Sequence, residues 1–237
     1  MHKKIGMVGG VSPESTTKYY QYITRKYCES FGDYSYPEII IYSVNFQQFI
    51  NWQREGSWNN IAEKLVQAIQ AIHAAGADFG LIAANTMHAV FDKVREKSPM
   101  PLISIIEATA ALINKEKIKT VGLLGTLYTM KESFYKEGLL EHGIMTIVPE
   151  PREQEFINKV VYDELTKGQI SQKSKQLFIQ IINKLKSGGA EGIVLGCTEI
   201  PLLVQQNDCA IKLFNTTEIH AQKALDLAIN TDNLSRG

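Results

Sequence analysis

The cysteine at position 197 is the side chain in this sequence best placed to do chemistry. Cys197 ends the apolar run GIVLGC, follows Gly196, and opens the segment TEIPLL, whose Thr-Glu-x-Pro order is typical of a helix start. A thiolate at a helix N-terminus is stabilised by free backbone N–H groups and by the helix dipole. We therefore expect Cys197 to be reactive, whereas Cys28 and Cys209 lack this context and are expected to be structural.

A second group of polar side chains follows another apolar run. The segment LIAANTMH, residues 81–88, passes directly from apolar residues into Asn85, Thr86 and His88. Ligands of open α/β sheets bind beyond the carboxyl ends of the strands, so Asn85 and Thr86 are candidates for binding. His88 could act as a general base, but a lone histidine in this position is more often structural, and we favour that interpretation.

An internal repeat relates these two segments. GADFGLIAAN from Gly76 aligns without gaps with GAEGIVLGCT from Gly189, an offset of 113 residues, and this places Ala84 opposite Cys197. Near the N-terminus, IGMVGG aligns with VGLLGT at an offset of 116 residues. Similar composition of parallel strands explains either match alone, but two nearly equal offsets favour a duplicated α/β unit.

A glycine turn follows the first apolar run, with Gly9, Gly10, Ser12 and Pro13 in the sequence GGVSPEST. Neither the G-x-G-x-x-G pattern nor the lysine-bearing P-loop is present, so the sequence does not predict a phosphate cradle. A turn whose backbone can approach a small ligand is the better interpretation. The sequence shows no Ser/His/Asp arrangement and no cluster with metal-ligand spacing, so we predict no metal site.

The composition is that of a soluble globular protein and argues against several classes of function. Hydrophobic residues make up 44% and charged residues 21% of the 237 residues. Lys plus Arg equals Asp plus Glu at 25 each, so no net charge favours binding to nucleic acid or to a membrane. No apolar run approaches the ~18 residues of a membrane span, and no signal peptide is recognisable. The odd number of cysteines, 3, favours the reducing cytoplasm.

Short apolar runs alternate with longer amphipathic segments along the chain. IAEKLVQAIQAIHAA, for example, places Ile61, Leu65 and Ile69 at helical spacing. We also predict a helix from about Pro13, a polar loop over residues 51–57, and one helix through MKESFYKEGLLEHG. This βαβα order, with strands apolar on both faces, predicts parallel sheets covered by helices.

The expected fold is therefore α/β, with two similar three-layer α/β/α lobes that contain mainly parallel sheets. We expect one lobe over residues 1–103 and 215–237 and the other over residues 104–214. If a pseudo-twofold axis relates the lobes, the ends of equivalent strands meet across one cleft. The active site is then expected in that cleft, with residues 84–86 on one side and 197–199 on the other.

Three motifs resemble those of the aspartate/glutamate racemase family. GGVSPESTTKYY resembles its N-terminal Gly-Gly-x-x-Pro-x-x-[ST] loop, AANTMH resembles its Cys-Asn-Thr-x-His motif, and GCTEIPLL resembles its Gly-Cys-Thr-Glu-[ILF]-x-L motif. The motifs occur in the family's order and span essentially the whole chain. The NTMH variant and the segment YSVNFQQFINWQ are most similar to the bacterial subgroup specific for L-aspartate and L-glutamate.

The resemblance implies racemisation of an acidic amino acid, aspartate or glutamate, without pyridoxal phosphate or another cofactor. In this family two thiols on opposite faces of Cα remove and return a proton, and Cys197 matches the second of them. We expect a homodimer because symmetric dimers are the commonest oligomers. The resemblance also implies a set of substrate-binding residues. That set comprises Gln53, Asn85, Thr86, Thr126, Thr129, Lys167, Thr198 and Glu199, with Gly9, Gly10, Ser12 and Pro13 in a loop near the site.

Ala84 departs from the family pattern, because it occupies the position of the first thiol and a methyl group cannot exchange a proton. The subgroup tolerates a non-cysteine residue there, with threonine in some members. Ala84 is then an engineered change that traps substrate, or a natural residue in an impaired or direction-biased racemase. A further alternative is a chain that does not racemise, acting as a one-base decarboxylase-like enzyme or an inactive dicarboxylate-binding protein. Maleate isomerase and hydantoin racemase are other relatives, which the charged-substrate loops disfavour.

Overall fold

The computed structural model describes residues 2–229 and divides the chain into two compact units. The first unit comprises Met1–Ile105 and His220–Gly237, and the second comprises Ile106–Ile219. The first unit is therefore built from both ends of the chain, whereas the second is continuous. None of the helices in residues 2–229 is long and apolar enough to cross a membrane.

The first unit contains a parallel four-stranded sheet in the order β2-β1-β3-β4. Its strands are β1 (Ile5–Gly9), β2 (Ile39–Ser43), β3 (Phe79–Ile82) and β4 (Leu102–Ile103). Its helices are α1 (Pro13–Phe31), α2 (Phe46–Arg54), α3 (Trp58–Ala74) and α4 (Phe91–Glu96), with a short 3-10 helix at Thr86–Val90.

The second unit repeats this topology with a parallel sheet in the order β6-β5-β7-β8. Its strands are β5 (Thr120–Gly125), β6 (Met145–Ile147), β7 (Gly192–Gly196) and β8 (Lys212–Asn215). Its helices are α5 (Ile105–Lys115), α6 (Leu127–Lys131), α7 (Ser133–Leu140), α8 (Pro151–Asp163), α9 (Gln172–Ser187) and α10 (Ile200–Leu203). The 3-10 helices are Leu165–Lys167 and Gln206–Asp208, and α11 (Thr216–Ile229) leads the chain back into the first unit.

Helices cover the central strand β1 on both faces, which explains why its sequence is apolar throughout. Ile5 and Met7 pack in a core with residues of α1 and with Ala221 and Leu225 of α11. Val8 points the other way and packs in a core with residues of α2, α3 and α4. Burial on both faces is typical of parallel sheets, and it confirms the predicted α/β class.

In each sheet, the carboxylate of an acidic residue before one strand accepts hydrogen bonds from backbone N–H groups at the start of the adjacent strand. This is the clearest structural sign of the repeat. Asp78 precedes β3, and its Oδ2 accepts a hydrogen bond from the backbone N–H of Lys4 at 2.6 Å. Glu191 precedes β7, and its Oε2 accepts from the N–H groups of Lys119 at 2.7 Å and Thr120 at 2.9 Å. The predicted alignment places Asp78 opposite Glu191, so the same device recurs at the same position.

Two predictions about local structure were wrong. The segment predicted as a loop over residues 51–57 is helical up to Arg54, because Asn45 caps α2 by accepting a hydrogen bond from the N–H of Gln47 at 3.1 Å. The segment after β5 forms two helices rather than one, since Glu132 is extended, with a ψ angle of 159°. Gln53 is consequently held on a helix.

Lys117 adopts a left-handed backbone conformation, with a φ angle of 60°. Gly76 adopts a similar conformation after α3, with a φ angle of 96°, and a Cβ built there meets no atom within 4 Å. A residue with a Cβ atom is destabilised by roughly 1–2 kcal/mol in this backbone region, whereas glycine is not. The two positions therefore test the same backbone effect in opposite directions.

We expect Lys117→Gly to raise the free energy of unfolding by about 0.5 kcal/mol. The substitution relieves backbone strain in the folded state, but glycine also makes the unfolded chain more flexible, which offsets part of the gain. Gly76→Ala should lower it by about 1–2 kcal/mol without any steric clash. Urea unfolding followed by circular dichroism measures both changes. A loss of stability in Lys117→Gly would contradict the assignment of strain to this backbone.

Candidate active site

The candidate site residues of the second unit follow the ends of two paired strands. Gly125, the last residue of β5, is the register partner of Gly196, the last residue of β7. Thr126 and Cys197 are the next residues of the chain, so both stand at the carboxyl edge of this sheet. Parallel α/β sheets present their reactive groups at this edge.

Cys197 and Thr198 both donate hydrogen bonds to the carboxylate of Glu199. The Cys197 Sγ lies 3.0 Å from Glu199 Oε2, and the Thr198 Oγ1 lies 2.7 Å from the same oxygen. All three residues are buried, and Cys197 is only 6% exposed. The sequence placed Glu199 among the substrate ligands, but in the structure its carboxylate binds the thiol.

Burial raises the pKa of the Cys197 thiol well above its ordinary value, and the negative charge and hydrogen bond of Glu199 raise it further. The backbone N–H groups of Glu199 and Ile200 act in the opposite direction but do not outweigh these effects. The expected stabilisation of the thiolate by backbone N–H groups is therefore present, but the net shift of the pKa is opposite to the one expected. The helix, α10, has only 4 residues, so its dipole is small.

The hydroxyl groups after β5 form a pair at the start of α6. Thr126 is the N-cap residue, its Oγ1 accepts from the N–H of Thr129 at 3.4 Å, and the two hydroxyl oxygens lie 3.1 Å apart. Thr129 is fully buried, whereas Thr126 is half-buried. Of the two predicted ligands, Thr126 is thus the one that a small molecule can reach.

Lys167 stands beside the segment that carries Cys197. It ends the 3-10 helix Leu165–Lys167, and Leu165 packs in the same apolar core as Cys197 and Ile200. The Lys167 side chain is exposed, and no carboxylate of residues 2–229 lies within salt-bridge distance of it. The structure thus offers an unneutralised cation in this region of the second unit.

In the first unit, hydrogen bonds fix the backbone around Ala84. The carbonyl of Ala83 accepts from Ser15 Oγ at 2.8 Å, and the N–H of Ala83 donates to the carbonyl of Val8 at 2.9 Å. The carbonyl of Ala84 is bound by His88 Nδ1 at 2.8 Å. Asn85 is buried and Thr86 is half-buried, and both follow directly at the start of the 3-10 helix.

The strand pairings place Ala84 and Cys197 at equivalent positions of their own units. Val8 of β1 pairs with Ile82, two residues before Ala84, and Leu124 of β5 pairs with Leu195, two residues before Cys197. The structure therefore supports the alignment that places these two residues opposite each other in the repeat. Ala84 carries a buried methyl group, 5% exposed, where the second unit has a thiol.

Contacts within the protein explain the glycine turn after β1. The N–H of Gly10 donates to Thr16 Oγ1 at 2.8 Å, and Gly10 has a φ angle of 86°. A Cβ at Gly10 would lie 2.5 Å from the carbonyl oxygen of Val44, so the close approach is to the end of β2. Ser12 caps α1 by accepting from Ser15 N–H at 3.3 Å, and α1 begins at Pro13 as predicted. Gly9 precedes this turn as the last residue of β1.

His88 is a structural histidine, because both of its ring nitrogens bind backbone groups. Nδ1 donates to the carbonyl of Ala84, and Nε2 accepts from the N–H of Ile105 at 3.0 Å. Its ring stacks on Phe91 with centroids 4.7 Å apart. Burial, followed by the nearby His220, lowers the pKa of His88 to about 3. The sequence-based preference for a structural role agrees with this geometry.

His220 is a second buried histidine near His88, with ring centroids 6.0 Å apart. Its Nε2 donates to the carbonyl of Ile103 at 3.0 Å, and its Nδ1 accepts from the hydroxyl of Tyr19 at 2.8 Å. Burial lowers its pKa to about 4. No sequence motif marks this residue, and its partners Tyr19 and Ile103 lie more than 100 positions away along the chain.

The sequence matches a known family over almost its whole length. The family model for Asp/Glu/Hydantoin racemase matches residues 8–224, so the chain belongs to this family.

Within residues 2–229, no three His, Cys, Asp or Glu side chains are grouped in a way that could hold a metal ion.

Similar proteins extend this finding. The broad specificity amino-acid racemase RacX of Bacillus subtilis (strain 168) is 21% identical over 225 residues, which cover 93% of this chain and 96% of RacX. The crystal structure of an aspartate racemase homologue from Pyrococcus horikoshii OT3 is 41% identical, with a TM-score of 0.86 over 96% of this chain and 99% of that chain. A Yersinia pestis protein provisionally assigned as an Asp/Glu racemase is 39% identical, with a TM-score of 0.91 over the same shares.

The Glu199 carboxylate raises the pKa of Cys197, so its neutralisation has a defined effect. We expect Glu199→Gln to lower that pKa, although it should stay above the ordinary range because burial, the largest cause, remains. The measurement is a pH titration of thiolate ultraviolet absorbance, corrected with a Cys197→Ser variant. Glu218→Gln, which neutralises an exposed carboxylate, is the control. An identical titration in Glu199→Gln and in the unmodified protein would contradict the assignment.

The two neutral histidines make stability depend on pH. Because their folded pKa values, about 3 and about 4, lie below the unfolded value of 6.5, only the unfolded chain takes up these protons as the pH falls through that window. The free energy of unfolding should therefore fall by about 1.4 kcal/mol per pH unit for each histidine below about pH 6.5.

Urea unfolding between about pH 7 and about pH 5 measures this slope with little interference from carboxyl groups. In His220→Gln the slope should be about half as steep, since one of the two protons no longer contributes. That variant keeps a donor for the Ile103 carbonyl. An unchanged slope would show that His220 does not titrate in this way.

Proposed function

We propose that this protein moves the Cα proton of an acidic amino acid, aspartate or glutamate, with Cys197 as the acid and base and without pyridoxal phosphate. The observation that carries the proposal is the buried Cys197 thiol, which donates to the Glu199 carboxylate at 3.0 Å beyond the end of β7. Membership of the Asp/Glu/hydantoin racemase family supports the substrate class and the reaction.

The thiol and the carboxylate together suit a weakly acidic Cα–H bond. In the resting protein Cys197 is a thiol, because burial and Glu199 disfavour the thiolate. When Glu199 accepts the thiol proton, the buried thiolate that forms is a strong base, able to remove the proton from Cα. In the reverse direction the thiol protonates the carbanion, and Glu199 returns its proton to the sulfur.

We assign the remaining candidate residues to substrate binding. Hydroxyl and amide groups of Asn85, Thr86 and Thr126 are proposed to hold the α-carboxylate and the negative charge that develops on it. Thr198, whose hydroxyl donates to Glu199, is proposed to line the substrate beside them. Gln53 and the unneutralised Lys167 are proposed to bind the side-chain carboxylate. Thr129 acts through Thr126, because its own hydroxyl is buried. The glycine turn, with Gly9, Gly10, Ser12 and Pro13, is assigned to the loop that borders the substrate.

Ala84 supports a one-sided form of this reaction as the second candidate function. Its methyl group stands at the repeat position equivalent to Cys197 and cannot carry a proton. A single thiol removes and returns a proton on the same face of Cα, which yields exchange without inversion. The same arrangement suits a one-base decarboxylase-like enzyme, and without any exchange the protein would be a dicarboxylate-binding member of the family.

Incubation with L- or D-aspartate and L- or D-glutamate in D2O, followed by NMR, tests this proposal. We expect loss of the Cα–H signal of one enantiomer, and a rate at least ~10²-fold lower in Cys197→Ala, which lacks the acid and base. Glu218→Gln is the control for unspecific effects. If none of the four substrates exchanges, Cys197 does not carry out this chemistry, and binding measured by calorimetry decides whether the protein only binds dicarboxylates.

Restoring a thiol in the first unit tests the role assigned to Ala84. We expect Ala84→Cys to increase inversion of configuration by roughly 10²-fold, since a general acid is then available for the other face of Cα. Chiral chromatography of the products measures inversion separately from exchange. The double variant Ala84→Cys, Cys197→Ala is the matched control and should not invert substrate. Unchanged inversion in the single variant would contradict the proposal that position 84 is the missing partner.

We further propose that the protein works in the cytoplasm as a homodimer and that each compact unit folds as a lobe. The three free cysteines support a reducing compartment, and symmetric dimers are the commonest oligomers.

A further inference from the structure

The segment that follows β3 is a short 3-10 helix. The 3-10 helix Thr86–Val90 has 5 residues, and Asn85, its N-cap residue, makes no side-chain capping hydrogen bond to it. Short 3-10 helices are weak, because their hydrogen-bond geometry is poor. A side-chain contact to the backbone at the start of this helix therefore adds to its definition.

His88 makes such a contact from inside the same short helix. Its Nδ1–H bond to the Ala84 carbonyl fixes the peptide group that joins Ala84 to Asn85. Its Nε2 accepts from Ile105 N–H, and its ring stacks on Phe91 at an angle of 9°. The ring is therefore immobilised on three sides, and it transfers this rigidity to the Ala84 carbonyl.

The partners also define the chemical state of the ring. A carbonyl can only accept, so Nδ1 of His88 carries the hydrogen, and a backbone N–H can only donate, so Nε2 carries none. The opposite tautomer occurs in His220, whose Nε2 donates to a carbonyl. A second proton on His88 would face the N–H of Ile105 and break this contact.

We propose that His88 is a positioning residue, which holds the Ala84 carbonyl so that Asn85 and Thr86 are presented to the substrate. This role rests on the proposed function, because it assumes that Asn85 and Thr86 bind the substrate. His88 itself exchanges no proton with the substrate. Its contribution is to substrate binding, and loss of the Ala84 contact raises the KM more than it lowers kcat.

Two variants separate the two hydrogen bonds of His88. In His88→Asn the amide nitrogen can replace Nδ1 and keep the bond to the Ala84 carbonyl. In His88→Gln the amide oxygen can replace Nε2 and keep the bond to the Ile105 N–H. Each variant loses one hydrogen bond to a buried backbone group and the stacked ring, so the two form a matched pair in stability.

The first measurement does not depend on activity. Amide hydrogen exchange, resolved by NMR, should be at least tenfold faster across residues 85–87 in His88→Gln than in the unmodified protein, and less than threefold faster in His88→Asn. The second measurement is Cα–H exchange of the substrate. We expect the KM to rise at least tenfold in His88→Gln and less than threefold in His88→Asn, with smaller changes of kcat in both.

The outcomes distinguish this proposal from the proposed function. If the unmodified protein exchanges no substrate proton, the proposed function fails, and the amide exchange rates still decide whether His88 positions residues 85–87. Equal effects of the two variants on amide exchange, at equal melting temperatures, would overturn the positioning role. A fall in kcat with unchanged KM would overturn it as well, because such a change indicates a direct part in catalysis.

Discussion

The hydrogen bond between Cys197 and Glu199 is the interaction on which the proposed chemistry of this protein depends. Both side chains are buried, and two negative charges at 3.0 Å are incompatible with burial. The pair therefore holds one negative charge and one proton, and at rest that proton stays on the thiol because burial and Glu199 raise its pKa. Burial of the negative charge is unfavourable, and this makes the thiolate a strong base. The same environment therefore keeps Cys197 protonated at rest and makes the thiolate strongly basic when it forms.

The two units share their strand order and the carboxylate contacts at the strand starts, but they differ in the residues that follow the strand ends. Asp78 and Glu191 hold equivalent backbone groups, and the two sheets have the same strand order. Beyond β7 the chain places a thiol and a carboxylate, whereas beyond β3 it places Ala84 and a structural histidine. The sheet thus determines where a reactive group can stand, and the residues after each strand determine which group stands there.

Much of the fold was predictable because it depends on local patterns. Apolar strands, amphipathic helices and the repeat predicted two parallel sheets and the position of Cys197 directly after a strand. The raised pKa of Cys197 was not predictable, because it arises from tertiary burial and from a carboxylate whose direction the sequence does not specify. The Cys-x-Glu spacing was the available signal for that contact.

The helical position of Gln53 was missed for a different reason. The cap at Asn45 and the packing of Phe49 in the core stabilise α2 in a segment whose composition is polar. The geometry of His88 was also beyond the sequence, since its partner Ile105 belongs to a later element. A sequence motif can mark the position of such a residue, but it does not predict the tertiary contacts through which the residue acts.

The discontinuity of the first unit has a consequence for biosynthesis. The core between β1 and α1 is completed by Ala221, Ala224 and Leu225 of α11, near the end of the chain. A ribosome therefore delivers every residue of the second unit before the first unit can close its core. The unit whose first residues emerge first is therefore the last to complete its core.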